Sequence, residues 1–426
     1  MLYQLHEIQR QMLNRVSSWA EMSAQLFSNP YSPLAYTPFS KRISAGYDLL
    51  HRLGKEYDKP AFGLTVTSVE GHEVAVNEEV VVAKPFCKLL HFARDLSATP
   101  LQSRAADPTV LLVAPLSGHH ATLLRDTVRA LLPEHDVYIT DWVDARLVPL
   151  SAGEFHLDDY VHYVIEFLQL LGPNVHVISV CQPTVPVLAA VSLMAAANDP
   201  KLPLSMTMMG GPIDARRSPT AVNALAIKKP FSWFENNVIY TVPAKYPGYL
   251  RRVYPGFLQH AGFVAMNPDR HVQSHWDYYE HLMKGDDQST DAHRAFYDEY
   301  NAVLDLPAEY YLETIRTVFQ EYLLPEGRWH VRGERVAPES IRQVALFTIE
   351  GELDDISGSG QTRAAHDLCC NIPADHKQHL EVTGAGHYGI FSGRRWRTVV
   401  CPQIRDFIRQ HEVRIGAAPK RANRRG

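Results

Sequence analysis

The spacing of apolar positions changes several times along the chain. Near the start, Leu2, Leu5, Ile8, Met12, Val16, Trp19, Met22 and Leu26 recur every three or four residues, the period of an amphipathic helix. Such a stripe packs on its own domain or a partner, or lies on an apolar particle or interface. Residues 64–83, LTVTSVEGHEVAVNEEVVVA, predict a hairpin or pair of edge strands around Gly71.

From about residue 108 a different rhythm sets in. Strand-type runs at 109–115 (TVLLVAP), 136–142 (DVYITDW), 175–180 (VHVISV) and 205–211 (SMTMMGG) alternate with helical patterns over 120–132, 157–172 and up to about 197. Near-continuous apolar strands separated by helices predict a parallel sheet covered on both faces. The alternation stops at about 217. It resumes with a strand over 344–351, a helical pattern over 360–369, a strand over 379–387 and a helix over 394–412. Between Phe231 and Tyr310, 16 of 80 residues are aromatic, against 10% for the whole chain. The middle therefore reads as an aromatic-rich insertion in one α/β sheet. The resulting layout is an N-terminal helical segment with edge strands (1–108), a first part of the core (109–216), an inserted lid (217–340), a second part of the core (341–413) and a basic, disordered tail (414–426).

Composition narrows the class. With 46% hydrophobic and 21% charged residues the chain is an ordinary globular one, and 426 residues fit one large α/β domain with an insertion. A net charge of −5 argues against a broad nucleic-acid-binding surface. The five cysteines (Cys87, Cys181, Cys369, Cys370, Cys401) are odd in number and lack framework spacing, which predicts a reducing compartment without disulfides. Polar residues from Gln4 to Gln11 break up any signal-peptide core. No apolar run reaches the roughly 18 residues that suggest a membrane span. The expectation is a cytoplasmic protein that binds neither nucleic acid nor membrane.

The chemistry centres on Cys181. It sits between the strand VHVISV and an apolar helix, at a corner where a nucleophile stands above the sheet edge near the helix dipole. Small residues are usual there, in a Gly-x-Ser-x-Gly box. Here the box is Ser179-Val180-Cys181-Gln182-Pro183, with both glycines missing. Two later strands end on Gly351-Glu352-Leu353-Asp354 and Gly384-Ala385-Gly386-His387. Nucleophile, acid, histidine is the chain order of an α/β-hydrolase triad. In that reading His387 takes the thiol proton and Asp354 holds the imidazole, with Asp355 the competing acid. The backbone N–H of Gln182 supplies one oxyanion donor, and Leu116 or Ser117 after the 109–115 strand supplies the other. His119 and His120 follow that loop, lining the pocket or lying at the surface. His271 and His275 share a helical spacing without a third ligand, so no metal is predicted. No phosphate-cradling glycine loop occurs, and no cofactor is predicted.

These residues carry a resemblance. The stretches MLYQLHEIQRQML, DWVDARLVPL (141–150), SVCQPTVP (179–186), EGELDDISGSGQT (350–362) and GAGHYGIFSGRRW (384–396) resemble the intracellular poly(3-hydroxybutyrate) (PHB) depolymerases of the α/β-hydrolase superfamily, along nearly the whole chain. The resemblance implies Cys181, Asp354 and His387 as catalytic residues, an acyl-cysteine intermediate, and amorphous PHB storage granules as partner, with release of 3-hydroxybutyrate or its oligomers. Polyhydroxyalkanoate synthases are the nearest rival, but usually carry glycines where Ser179 and Pro183 stand here. Thiolysis by coenzyme A and a non-catalytic granule protein are further alternatives. An apolar polyester suits an aromatic lid. Trp233, Phe234, Tyr240 and Tyr246 are candidate substrate-binding residues, as are Tyr249, Tyr254 and Trp276. An exposed apolar lid also leaves a homodimer open.

Overall fold

The computed structural model describes residues 2–97, 101, 104, 106–266 and 268–412; the basic tail lies outside the described residues. One nine-stranded sheet organises the chain. Strands β1 (Val66–Val69), β2 (His72–Ala83) and β3 (Cys87–Arg94) form an antiparallel edge, and β3 pairs antiparallel with β5 (Asp136–Trp142). The parallel part comprises β4 (Thr109–Val113), β5, β6 (Val175–Val180), β7 (Ser205–Met209), β8 (Ala345–Gly351) and β9 (Lys377–Val382). The spatial order is 1-2-3-5-4-6-7-8-9. Every residue of β6, β7 and β8 is buried, the physical reason those strands read as unbroken apolar runs.

Two helices precede the sheet, α1 (Leu2–Ser28) and α2 (Ser40–Gly54). Three follow its first parallel strands: α3 (Arg125–Leu131), α4 (Leu157–Leu171) and α5 (Thr184–Ala196). Helix α5 is buried from Thr184 to Met194, so it is apolar all round rather than amphipathic. Between β7 and β8 run α6 (Ala221–Lys228), α7 (Phe231–Asn237), α8 (Gly256–Met266), α9 (Pro268–Lys284), α10 (Asp287–Asn301) and α11 (Ala308–Thr314), with short strands among them.

Two expectations need correction. The segment 360–369 is helical only over Ala365–Leu368. The buried carboxylate of Glu350 accepts hydrogen bonds from the backbone N–H of Gly360, Thr362 and Arg363, which holds the preceding residues in a turn instead. The N-terminal stripe forms the predicted helix, yet apart from Trp19, edge-on to Tyr47 of α2, most of the stripe is not covered by the domain. Leu5, Met12, Val16, Trp19 and Met22 are exposed, while Tyr3, Glu7, Ser17, Ala20 and Ala24 face inward. The polar face finds better partners. Tyr3 Oη donates to Asp305 at 2.5 Å, and small residues let α2 approach until Ser17 Oγ reaches the His51 carbonyl at 3.0 Å.

Three core histidines give the fold a pH dependence. Burial lowers His119 and His135 to about 4 and His176 to about 3, from 6.5. Their folded-state values lie below the unfolded one, so their stabilising contribution is complete above about pH 6.5 and is lost as pH falls toward 4. Each is worth on the order of 3 kcal/mol. The urea midpoint is expected to drop steeply between pH 6.5 and 4, and a midpoint flat over that range would contradict neutral burial.

Candidate active site

Three strand ends converge at one edge of the sheet. Cys181 follows β6 with φ at +69°, a left-handed conformation that costs a non-glycine residue energy and that clusters at functional sites. Its N–H donates to the Met209 carbonyl at 2.7 Å, and its carbonyl accepts from Thr184 N–H at 3.1 Å, so the turn is fixed to β7 on one side and α5 on the other. The room that the box glycines would provide comes from elsewhere. Gly210 and Gly211 follow β7, and a Cβ on Gly211 would lie 1.8 Å from Thr184 Oγ1 and 2.4 Å from the Cys181 carbonyl. A Cβ on Gly210 would meet Ile390 at 2.7 Å.

Asp354 lies just past β8. One carboxylate oxygen accepts from the N–H groups of Ile356 and Ser357, both at 2.9 Å, and the other meets His387 Nδ1 at 2.7 Å. Asp354 is thus the carboxylate hydrogen-bonded to His387. The imidazole lines the same cavity as Cys181. Burial pushes the His387 pKa down, but the Asp354 carboxylate and Cys181 outweigh it and hold it well above the ordinary histidine value. The bond from Nδ1 to the carboxylate fixes the tautomer and leaves Nε2 to face the cavity chemistry.

Gln182, Leu116 and Ser117 all border the cavity above the cysteine. No acceptor among the described residues takes the N–H of Gln182 or of Leu116, leaving both available to an incoming oxygen. The loop carrying Leu116 is held from below. Trp142 Nε1 and Tyr160 Oη donate to the Ala114 carbonyl at 2.8 and 3.2 Å, and Tyr310 Oη donates to the Leu116 carbonyl at 3.1 Å. We expect Tyr310→Phe to lower kcat by up to about tenfold, the worth of one such bond, with KM little changed. An unaltered kcat would mean the loop holds its position without that hydroxyl.

The cavity measures about 310 Å³, at the small end of the roughly 300–1,000 Å³ of ligand pockets. Its walls are apolar: Val222, Leu225 and Ala226 of α6, Phe263 of α8, and Tyr311 and Ile315 around α11. Both polar atoms of the Gln182 side-chain amide are buried there without a partner among the described residues, so its hydrogen-bonding capacity is free for a ligand. Of the lid aromatics singled out in the sequence, Phe234 and Tyr254 line the cavity. Trp233 packs edge-on against Phe234, and Tyr240 and Tyr246 join a small cluster around Val242 and Val253. Tyr249 and Trp276 are exposed away from the cavity. Phe263, Tyr311, Phe319 and Tyr388, all lining residues, were not singled out. The enrichment marked the region but not the side of each helix that faces inward. His119 lines the cavity and His120 is buried. His271 bonds Tyr297 and Tyr300 through its two nitrogens.

A doubly wound parallel sheet with a strained cysteine after its central strand, and an acid and a histidine after the last two, defines an α/β-hydrolase. Residues 210–412 match the family model described as PHB de-polymerase C-terminus. That stretch, just under half of the chain, is similar to this family, and the match supports a carboxylic ester hydrolase. No curated protein matches the chain. Similar solved structures include a monoacylglycerol lipase of Paleococcus ferrophilus, at 13% identity over 71% of this chain and 94% of that one, with a TM-score of 0.41. A putative lipase of Acinetobacter baumannii is similar at 13% identity over 79% and 92%, TM-score 0.41. A thermophilic esterase of Thermogutta terrifontis is similar at 13% identity over 82% and 98%, TM-score 0.42. The fold assignment rests on strand order and the cysteine turn. Among the described residues no helix is long and apolar enough to cross a membrane.

Proposed function

We propose that the protein cleaves the ester bonds of amorphous PHB in storage granules, through a Cys181–His387–Asp354 triad and an acyl-cysteine. The observation that carries this reading is Cys181 at its strained turn in one cavity with His387, whose Nδ1 bonds Asp354. His387 Nε2 takes the thiol proton, and the thiolate attacks the ester carbonyl carbon. The oxyanion lies between the N–H groups of Gln182 and Leu116. Collapse breaks the acyl–oxygen bond, and His387 returns its proton to the departing alkoxide. Water then attacks the thioester, again deprotonated by His387, and the acid is released. The cavity walls supply apolar contact to the methyl-bearing repeat units, with Gln182 as the buried polar partner.

The test is acid release from native amorphous PHB granules, followed by base titration at constant pH with Cys181→Ala in parallel. Release that disappears in the variant supports the reading. A wild type that releases no acid but forms a coenzyme A thioester when coenzyme A is added would replace water with the thiol as acyl acceptor.

A further inference from the structure

The α1–α2 hairpin exposes a concentration of apolar side chains that folding leaves uncovered. Of the 31 large hydrophobic residues exposed among the described residues, 16 lie within residues 2–53, about an eighth of the chain. Met12 is 65% exposed, Trp19 51% and Phe39 68%. Scattered exposed hydrophobics are ordinary, whereas a contiguous face of this kind marks an interaction surface.

We propose that this face is the surface by which the protein settles on the polyester itself, an inference that rests on the depolymerase reading. Three observations select this occupant. The first is width. At about 100° per residue, the positions from Met22 round to Leu13 cover about half the circumference of α1, wider than the narrow seam that a helical partner occupies. A helix lying in an apolar boundary presents such a half-face. The second is charge. Arg15 and Glu21, opposite in sign, are the exposed charged residues of α1, and Lys41 and Arg42 are exposed only at the start of α2, so the α1 half-face suits a neutral phase and offers little to a charged partner. The third is continuity with the catalytic cavity. His6 stacks on Phe257 of α8 with centroids 3.8 Å apart, and Tyr3 meets the same ring edge-on at 5.5 Å. Two residues further along α8, Gln259 borders the cavity, followed by Gly262 and Phe263. The helix that would rest on polymer is therefore joined directly to the helix that walls the site. Adsorption through α1 holds the cavity close to the surface from which a chain segment must be drawn.

The test measures binding in a Cys181→Ala background, where polymer is not consumed. Granule cosedimentation is compared with that of the further variant Leu5→Ser/Met12→Ser/Val16→Ser/Trp19→Ser, and hydrolysis of a soluble short-chain ester is measured for the same four substitutions with Cys181 intact. These apolar side chains leave water on adsorption, so granule affinity is expected to fall by at least about tenfold. Soluble-ester kcat/KM should stay within about twofold of the wild type, a change of under 0.5 kcal/mol. Unchanged granule binding overturns the proposal. So does a wild-type dimer that the substitutions split into monomers still binding granules, since a second copy then covers the face. Met12→Gln/Trp19→Gln, a milder pair, serves if the fourfold variant loses its circular dichroism. The depolymerase reading fails separately: a wild type that binds granules through α1 and releases no product would keep this inference and lose that one.

Discussion

Replacing Cys181 with alanine is expected to lower ester hydrolysis by about 10⁴-fold or more while leaving the thermal midpoint unchanged. In the proposed mechanism the sulfur alone forms the acyl intermediate, so nothing substitutes for it. The backbone demand is the same for both residues, because alanine and cysteine meet the same obstacle at a φ of +69°. Asp354→Asn should follow with a loss approaching about 10⁴-fold, since an amide at that place favours the wrong imidazole tautomer. The two variants differ in what remains. Asp354→Asn still alkylates slowly at Cys181, whereas Cys181→Ala has no thiol in the cavity to alkylate. The other cysteines do not confuse the assay. Cys87, Cys369 and Cys401 are buried, and burial raises the last two to about 12, so at neutral pH they stay protonated and unreactive. Exposed Cys370 is removed with Cys370→Ser. A Cys181→Ala protein that retains substantial hydrolysis would sink the triad reading.

Cys181, Asp354 and His387 were legible because each follows an apolar strand, and parallel strands deliver their ends to one edge. Chain order and spacing then suffice to bring the three together. The loop carrying Leu116 was legible for the same reason, as the end of β4. The hydroxyls and indole that hold that loop were not, because Tyr160 and Tyr310 lie 46 and 194 residues from their acceptors. The lid aromatics show a related limit. Short helices such as α6, α7 and α11 have about two turns, and their inward side depends on neighbours that no local period encodes. The stripe of α1 gives the opposite lesson. Its period named a helix, while its direction was set by Asp305, by Lys245 paired to Glu7 and by the small residues against α2. An apolar stripe turns outward when the polar side holds the specific contacts.

The absent box glycines lead to the second large effect. Gly211→Ala is expected to cost at least about 100-fold in kcat/KM together with several kcal/mol of stability. The new methyl would need to occupy space 1.8 Å from Thr184 Oγ1 and 2.4 Å from the carbonyl oxygen of Cys181. One neighbour opens α5, which starts at Thr184, and the other is the backbone of the nucleophile, so neither can swing aside as a flexible side chain would. The same glycine is pinned by Thr362, whose hydroxyl meets its N–H at 2.8 Å and its carbonyl at 3.0 Å, which closes the other direction of escape. Relief must come from moving the cysteine turn. A shift of about 1 Å there separates the sulfur from His387 and from the oxyanion N–H groups, and catalysis tolerates such misplacement poorly. The contrast is Gly153→Ala. Gly153, unlike Gly211, has a positive φ, +82° with ψ −172°, but its Cβ would meet nothing within 4 Å, so that variant should lose about 1–3 kcal/mol from a backbone conformation nearly confined to glycine and keep its activity. Chemical denaturation and soluble-ester kinetics on the two variants separate the effects. Equal behaviour would show that the turn yields to a methyl group at Gly211, and that Gly210 and Gly211 do not stand in for the glycines missing around Cys181.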